Sequence, residues 1–219
     1  MARILIINPN SSEPCGAGID AAIDPLRSAG KLAFDVVSLP EGPPAIYSWR
    51  DWHSVVEPIC RCIEREPADA YVIACASDPG LEAARAATAR PVLGIFRSAV
   101  AIATARAERF GVIAIAESSK ARHLAALRAM GLDRRLAIET ALNMSMEALL
   151  DPLEARDALL AASKACVRAG AEVIILGCTG MAGYRAVLEE VTCVPIIEPS
   201  YAAASLALMI VLESKGELR

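Results

Sequence analysis

AYVIACASDPGL, residues 70–81, and EVIILGCTGMAG, residues 172–183, carry one pattern twice. Each has an alanine beside an acid at its entry, Asp69-Ala70 and Ala171-Glu172. An apolar run follows, then a cysteine, then small polar residues and a helix start. A short apolar run bounded by turn residues reads as a strand covered on both faces. The exits match as well: Ala89-Arg90-Pro91-Val92-Leu93 after the first copy, Cys193-Val194-Pro195-Ile196-Ile197 after the second. Upstream, Ile7-Asn8-Pro9-Asn10-Ser11-Ser12 corresponds to Ala114-Ile115-Ala116-Glu117-Ser118-Ser119. Self-similarity on this scale marks an internal duplication.

Working outward, strands are predicted at 3–8, 32–38, 69–75 and 91–95, and again at 110–116, 136–140, 172–177 and 193–197. Helices fill the intervals. The first runs from Pro14 to Ala29 and stops at Gly30, the next covers 51–65, and Pro79–Thr88 follows the first cysteine. Residues 39–50 read as a loop, and 142–150 as a loop or a turn of helix. Asp151 caps a helix that has Pro152 in its first position. Strand and helix alternating at this spacing imply right-handed crossovers and parallel sheets. The expected fold is α/β, with two pseudo-symmetric flavodoxin-like lobes. Each lobe carries a four-stranded parallel sheet, and the active site lies in the cleft between them. The first lobe spans residues 1–97 and is completed by 199–219; the second spans 98–198.

Several classes of function drop out. The chain has 219 residues, 55% of them hydrophobic. Its longest apolar run, Tyr201–Leu212, is interrupted by Ser205 and falls short of the roughly 20 residues that cross a bilayer. Arg3-Ile4-Leu5-Ile6-Ile7 reads as a first strand, not a signal peptide. The net charge of −4 and the lack of a basic patch beyond Arg134-Arg135 argue against nucleic acid. Seven cysteines without a disulfide framework read as reduced thiols in the cytoplasm. The apolar faces of 99–107 and 202–212 point to a homo-oligomer. Cys60 and Cys62, two apart on a helix, make a poor metal pair, and no metal is expected. Cys15, Cys166 and Cys193 read as structural or packing residues, and His53 and His123 as surface residues. Cys15-Gly16-Ala17-Gly18 is no phosphate loop, since no Gly-Lys-Ser/Thr follows. Trp49 and Trp52 suit either a cover over the cleft or a subunit interface.

A single cysteine at a strand's end is more often a small core residue than a catalyst. Two at equivalent ends of a duplicated unit shift the balance, because ligands of open parallel sheets bind at the carboxyl ends of the strands. Cys75 and Cys178 then approach one cleft from opposite sides. Helix N-termini just beyond them are expected to lower their pKa. Paired thiols suit proton transfer at a stereocentre: a thiolate takes the proton from one face while a thiol delivers one to the other. Backbone N–H groups of the loops after each cysteine, Gly180 among them, can receive the developing negative charge. Hydroxyls and amides at or past strand ends add Asn8, Asn10, Ser11, Ser77, Ser118, Ser119 and Thr179, all for a small-molecule substrate. Asp78 is expected to cap the helix that follows it, with Pro79 in the first position. Asn8-Pro9-Asn10-Ser11 is equally a turn and helix cap. No cofactor is called for.

Three spaced motifs carry a resemblance over essentially the whole chain: RILIINPNSS (3–12), ACASDPGL (74–81) and LGCTGMAG (176–183). In these the chain resembles the aspartate/glutamate/hydantoin racemase superfamily, and within it the hydantoin and allantoin racemase branch. The resemblance implies a cofactor-independent racemase of 5-substituted hydantoins or a related ureide. Cys75 and Cys178 would be its two acid/base residues, with Asn8, Ser77, Asp78, Ser119 and Thr179 among the ligand contacts. Where aspartate and glutamate racemases follow Cys-Thr with glutamate, this chain has Gly180, which argues against an acidic amino-acid substrate. The arylmalonate decarboxylases use only the second cysteine, so Cys75 argues against that activity. After Gly42-Pro43-Pro44-Ala45-Ile46 stands Tyr47, where many hydantoin racemases carry a glutamate. Ala76 replaces a larger residue. Two other readings stay open: a cis-trans isomerase of the maleate type, in which one cysteine adds covalently, and a non-catalytic small-molecule binding protein.

Overall fold

The computed structural model describes residues 2–27 and 32–216. The first half runs β1 (Ala2–Asn8), α1 (Glu13–Arg27), β2 (Leu32–Ser38), α2 (Trp49–Ser54), α3 (Val56–Arg65), β3 (Ala70–Ile73), α4 (Leu81–Ala86) and β4 (Val92–Gly94). The second half runs α5 (Ile95–Arg106), β5 (Phe110–Ala114), α6 (Glu117–Ala129), β6 (Leu136–Ala141), α7 (Met146–Leu150), α8 (Pro152–Arg168), β7 (Val173–Gly177), α9 (Arg185–Thr192), β8 (Ile196–Ile197) and α10 (Pro199–Ser214).

The strands form two four-stranded sheets, ordered β2-β1-β3-β4 and β6-β5-β7-β8. Every pairing is parallel. The repeated order is the duplication expressed as topology. In each sheet the strand that leads to the cysteine, β3 or β7, lies beside the half's first strand. Both of these central strands are wholly buried, because helices cover both faces.

Side chains alternate across each sheet with a period of two. On the first sheet, Ile4, Ile6 and Val72 pack with Ile19 and Ile23 of α1 and with Ala203, Ala207 and Val211 of α10. Leu5, Ile7 and Ile73 face the other way, onto Ile59 and Ile63 of α3 and Leu81 of α4. On the second sheet, Val112, Val173 and Ile175 meet Phe96 and Val100 of α5 and Leu127 of α6. Ile113, Ile174 and Leu176 meet Leu159 of α8 and Leu188 of α9. The last helix therefore returns to cover the first sheet.

Three expectations are corrected. The helix expected over 51–65 starts earlier, at Trp49, and breaks at Val55 into α2 and α3. Pro58 explains the break, since it has no N–H for the carbonyl of Ser54 and its ring crowds that position. The loop between β2 and α2 is correspondingly shorter than 39–50. β3 ends at Ile73 rather than at the cysteine, although Ala74 still donates to the Ile7 carbonyl at 2.8 Å. Asp78 does not cap α4, whose N-cap is Gly80 with no side-chain cap and which begins only at Leu81. Asp151 does cap α8, accepting from the Leu153 N–H at 2.9 Å, with Pro152 in the first turn. The expected stop at Gly30 lies outside the described residues.

Candidate active site

Beyond β3 the chain turns sharply, and the Asp78 N–H closes the turn on the Cys75 carbonyl at 2.9 Å. Beyond β7 the same closure recurs: the Met181 N–H donates to the Cys178 carbonyl at 3.1 Å. Each cysteine thus sits at the start of a tight turn at the carboxyl end of its strand. Cys75 comes from the first sheet and Cys178 from the second, and both line one small cleft. Ser77, Ser119 and Thr179 line it with them, as do Asn10, Tyr47, Arg122 and His123. Ala76 and Ile115 contribute apolar wall.

The cysteine surroundings differ. Cys75 is half-buried and lies 3.4 Å from the Ser77 hydroxyl. Burial pushes its thiol above the ordinary value, while Ser77 and the Arg122 charge pull it down. Cys178 is buried. Its thiol is pushed far up by burial, with Cys15 and Cys75 adding to the rise; the Gly180 backbone N–H opposes it. This corrects the expected lowering by helix N-termini. Five residues separate Cys75 from the first residue of α4. Cys178 opens a 3-10 segment, Thr179–Tyr184, and α9 begins only at Arg185. Neither sulfur meets a helix dipole at close range, so desolvation dominates.

Five expected contacts stand behind the lining. Asn8 is fully buried, and its amide donates to Asn10 Oδ1 and Ser38 Oγ, both at 3.0 Å. It orients Asn10, which does reach the cleft. Ser11 bonds through its backbone N–H to the Pro43 carbonyl at 3.1 Å. Ser118 donates its hydroxyl to the Tyr47 carbonyl at 2.7 Å. Gly180 fits against Met146 and Leu149, where a Cβ would come within 3.0 Å of the methionine sulfur. Asp78 turns away, and its two carboxylate oxygens accept the Phe96 and Arg97 N–H groups at 2.8 and 2.9 Å. It caps α5 from outside that helix. Burial raises its carboxyl to about 6 in spite of these bonds.

Sequence reasoning missed Arg122 and His123 as lining groups; Tyr47 and Trp52, both singled out in the sequence, find their places here. Tyr47, on the β2–α2 loop, ties this loop to the second half at three points. Its hydroxyl accepts the Met146 N–H at 2.7 Å, and its carbonyl accepts from Ser118 Oγ and, at 3.2 Å, from Arg122 Nη1. Arg122 is 3% exposed and lies under Trp49, 5.9 Å from the ring centre. His123, expected at the surface, is buried between Phe96, stacked at 4.5 Å, and Glu139 Oε1, 2.5 Å from its Nδ1. The signal for it was Glu139, a lone acid in the short strand β6. Trp52 roofs the first cysteine turn by donating its indole N–H to the Ser77 carbonyl at 2.9 Å. Of the other residues set aside, Cys15 is buried, with its sulfur 3.1 Å from Thr179 Oγ1. Cys193, expected to pack, is exposed at the left-handed C-cap of α9. Its φ of +56° turns the chain there.

A family model described as Asp/Glu/Hydantoin racemase matches residues 4–207. The chain belongs to this family. It is an enzyme of the isomerase class, a racemase. It is 35% identical over 217 residues to a hydantoin racemase of Paenarthrobacter aurescens, covering 95% of this chain and 91% of that one. To a hydantoin racemase of Pseudomonas sp. (strain NS671) it is 36% identical over 217 residues, 95% of this chain and 86% of the relative. Among solved structures, an allantoin racemase from Klebsiella pneumoniae superposes with a TM-score of 0.88 at 30% identity, covering 99% of this chain and 89% of that one. The two-lobed architecture of this racemase is thus that of the neighbours it resembles. Among the described residues, no group of three or more His, Cys, Asp or Glu is placed to hold a metal, and no helix is long and apolar enough to cross a membrane.

Proposed function

We propose that this racemase interconverts the enantiomers of 5-substituted hydantoins or a related, allantoin-like ureide by two-base proton transfer. One observation carries the reading: Cys75 and Cys178, from equivalent turns of the two sheets, line the same cleft. The Cys75 thiolate takes the proton from the ring's stereogenic carbon, and the bond's electron pair passes into the adjacent carbonyl as an enolate. The Cys178 thiol gives its proton to the opposite face and is left as the thiolate. The reverse reaction exchanges the roles. General acid–base steps of this kind contribute about 10²–10⁴-fold each. A thiolate that burial makes costly is also a stronger base, which suits a weak carbon acid. Ser77, Ser119, Thr179 and Asn10 supply hydroxyl and amide groups to the ring, and their donors favour the enolate oxygen over the neutral carbonyl. The similarity to hydantoin and allantoin racemases supports this substrate class.

The test takes one enantiopure 5-substituted hydantoin in D2O at neutral pH. Circular dichroism and the α-proton NMR signal are followed together against an enzyme-free control. Loss of both, faster than the control and abolished in Cys75→Ser and in Cys178→Ser, is the expected result. A covalent adduct on one cysteine without solvent exchange would replace proton transfer by addition chemistry. No change with hydantoin or allantoin would reject the substrate class.

A further inference from the structure

The two thiols are not electrostatically equivalent. Arg122 is the only lysine or arginine among the described residues that line the cleft. It is almost fully buried, and among the described residues its guanidinium has no carboxylate within ion-pair distance. Its Nη atoms are held by neutral oxygens: the Tyr47 and Ser118 carbonyls, both at 3.2 Å, and the Ser119 hydroxyl at 3.3 Å. Its Nε finds no partner among the described residues. A buried charge without a counter-ion is expensive, and the structure must offset it nearby.

The charged and titratable groups around it can be named in turn. Asp51 of α2 acts on it through space, but its carboxylate is taken up by the Tyr47 and Ser48 N–H groups and the Ser48 hydroxyl at 2.8–3.1 Å. His123, next along α6, is bonded to Glu139 of β6. From the other half comes Cys75, 3.4 Å from the Ser77 hydroxyl; Ser77 and Arg122 share not only the cleft but a second hollow beneath Trp49 and Trp52, which Cys178 does not line. Asp78, behind Ser77, works against ionisation of Cys75. Among the described residues, no lysine or arginine stands with the groups that shift the Cys178 thiol. Its neighbours are the Cys15 thiol, Thr179, Cys75 and Tyr47.

We propose that Arg122 is the positioning residue that makes Cys75 the more readily ionised of the two cleft thiols, so that Cys75 is the starting base and Cys178 the starting acid. The proposal rests on the two-thiol reading above and assigns the starting roles within it. The guanidinium fork is fixed by three oxygens, so its charge sits at a set place and costs no rearrangement when Cys75 ionises. The enantiomer that presents its proton to Cys75 then meets the thiol that ionises more readily. The other enantiomer waits for the pair to exchange protonation states.

The experiment is alkylation of the whole protein by iodoacetamide as a function of pH, read at each cysteine by peptide mass spectrometry. The midpoint of each profile reports ionisation separately from access. Cys75 is expected to have the lower midpoint. In Arg122→Gln it should rise by about one unit, a tenfold loss of thiolate at a fixed pH below the midpoint, while that of Cys178 stays in place. Arg122→Lys, which keeps the charge, should restore most of the difference. A lower midpoint at Cys178 in the unmodified protein overturns the proposal, as does an unmoved Cys75 midpoint in folded Arg122→Gln. If Arg122→Gln does not fold, Arg122→Lys decides: loss of the order with the charge retained also overturns it. Alkylation needs no substrate. A preserved order with no hydantoin turnover faults the substrate class and leaves Arg122's role standing.

Discussion

The carboxyl of Asp78 occupies the place where a side chain at Gly94 would begin: a Cβ there would lie 2.3 Å from the carboxyl carbon. The second half solves the same problem differently. In register with Gly94 stands Glu198, and its own carboxylate accepts the Ser200 and Tyr201 N–H groups at the start of α10. In register with Asp78 stands Met181. The duplicated units have exchanged where the capping carboxylate is stored. In one it comes from the cysteine turn, in the other from the helix's own N-cap. Both satisfy first-turn N–H groups that would otherwise be buried unpaired.

Gly94→Ala should therefore act on the cysteine turn and on α5 together. No flexible side-chain end can yield there, because the Asp78 carboxylate is held by two backbone bonds. A loss of roughly 1–3 kcal/mol is expected, as for other overpacked sites. Denaturant unfolding measures it, and Gly94→Ala made in Asp78→Ala should cost clearly less.

Asp78 also gives stability a defined pH dependence. Its carboxyl rises from 3.8 to about 6 on folding. Its contribution is therefore fully present below about 4 and is lost as pH rises through about 6. The shift corresponds to about 3 kcal/mol. Urea titrations across this window should show a downward slope that Asp78→Asn flattens. A wild-type slope that Asp78→Asn leaves unchanged would place the titration elsewhere.

Tyr47 holds the β2–α2 loop across the cleft. Tyr47→Phe leaves the Met146 N–H without its acceptor, at a cost of about 1–3 kcal/mol. Because Tyr47 also lines the cleft, KM for the hydantoin should rise while the alkylation midpoints of both cysteines stay in order. Steady-state kinetics beside the alkylation profile separates the two effects.

His123 and Glu139 form a pair with side chains 1% and 5% exposed. Removing one partner strands the other. Glu139→Leu should cost about 3 kcal/mol, by analogy with other broken buried pairs. The double change with His123→Phe, which keeps the stack on Phe96, should recover much of it. A double-mutant cycle by thermal or denaturant unfolding gives the coupling directly.

Periodicity and repetition made the sheets legible. Short continuous apolar runs located all eight strands, and the two cysteine motifs in register showed that the halves share one plan. Residues whose place is set by their own backbone turn, such as Cys75, Ser77, Cys178 and Thr179, were readable at the strand ends, and they line the cleft. Less readable were residues whose role depends on a partner far along the chain. Asp78 looked like a local cap because Asp-Pro-Gly is a local signal, yet its partners lie 18 and 19 residues on. Arg122 and His123 sit in a helix with polar residues on most sides, so no apolar stripe announced that they turn inward. Tyr47 bonds to Met146 99 residues away, a closure that no window of sequence reports.

The return of α10 to the first sheet sets an order on the birth of the molecule. Ala203, Ala207 and Val211 join Ile19 and Ile23 of α1 over Ile4, Ile6 and Val72, so the strands made first have only part of that apolar face covered until α10 is made. The second sheet has α5, α6, α8 and α9 encoded around it. The same helix also reaches the second sheet's cluster through Ala202, so residues far apart in the chain close the cores of both halves with one element.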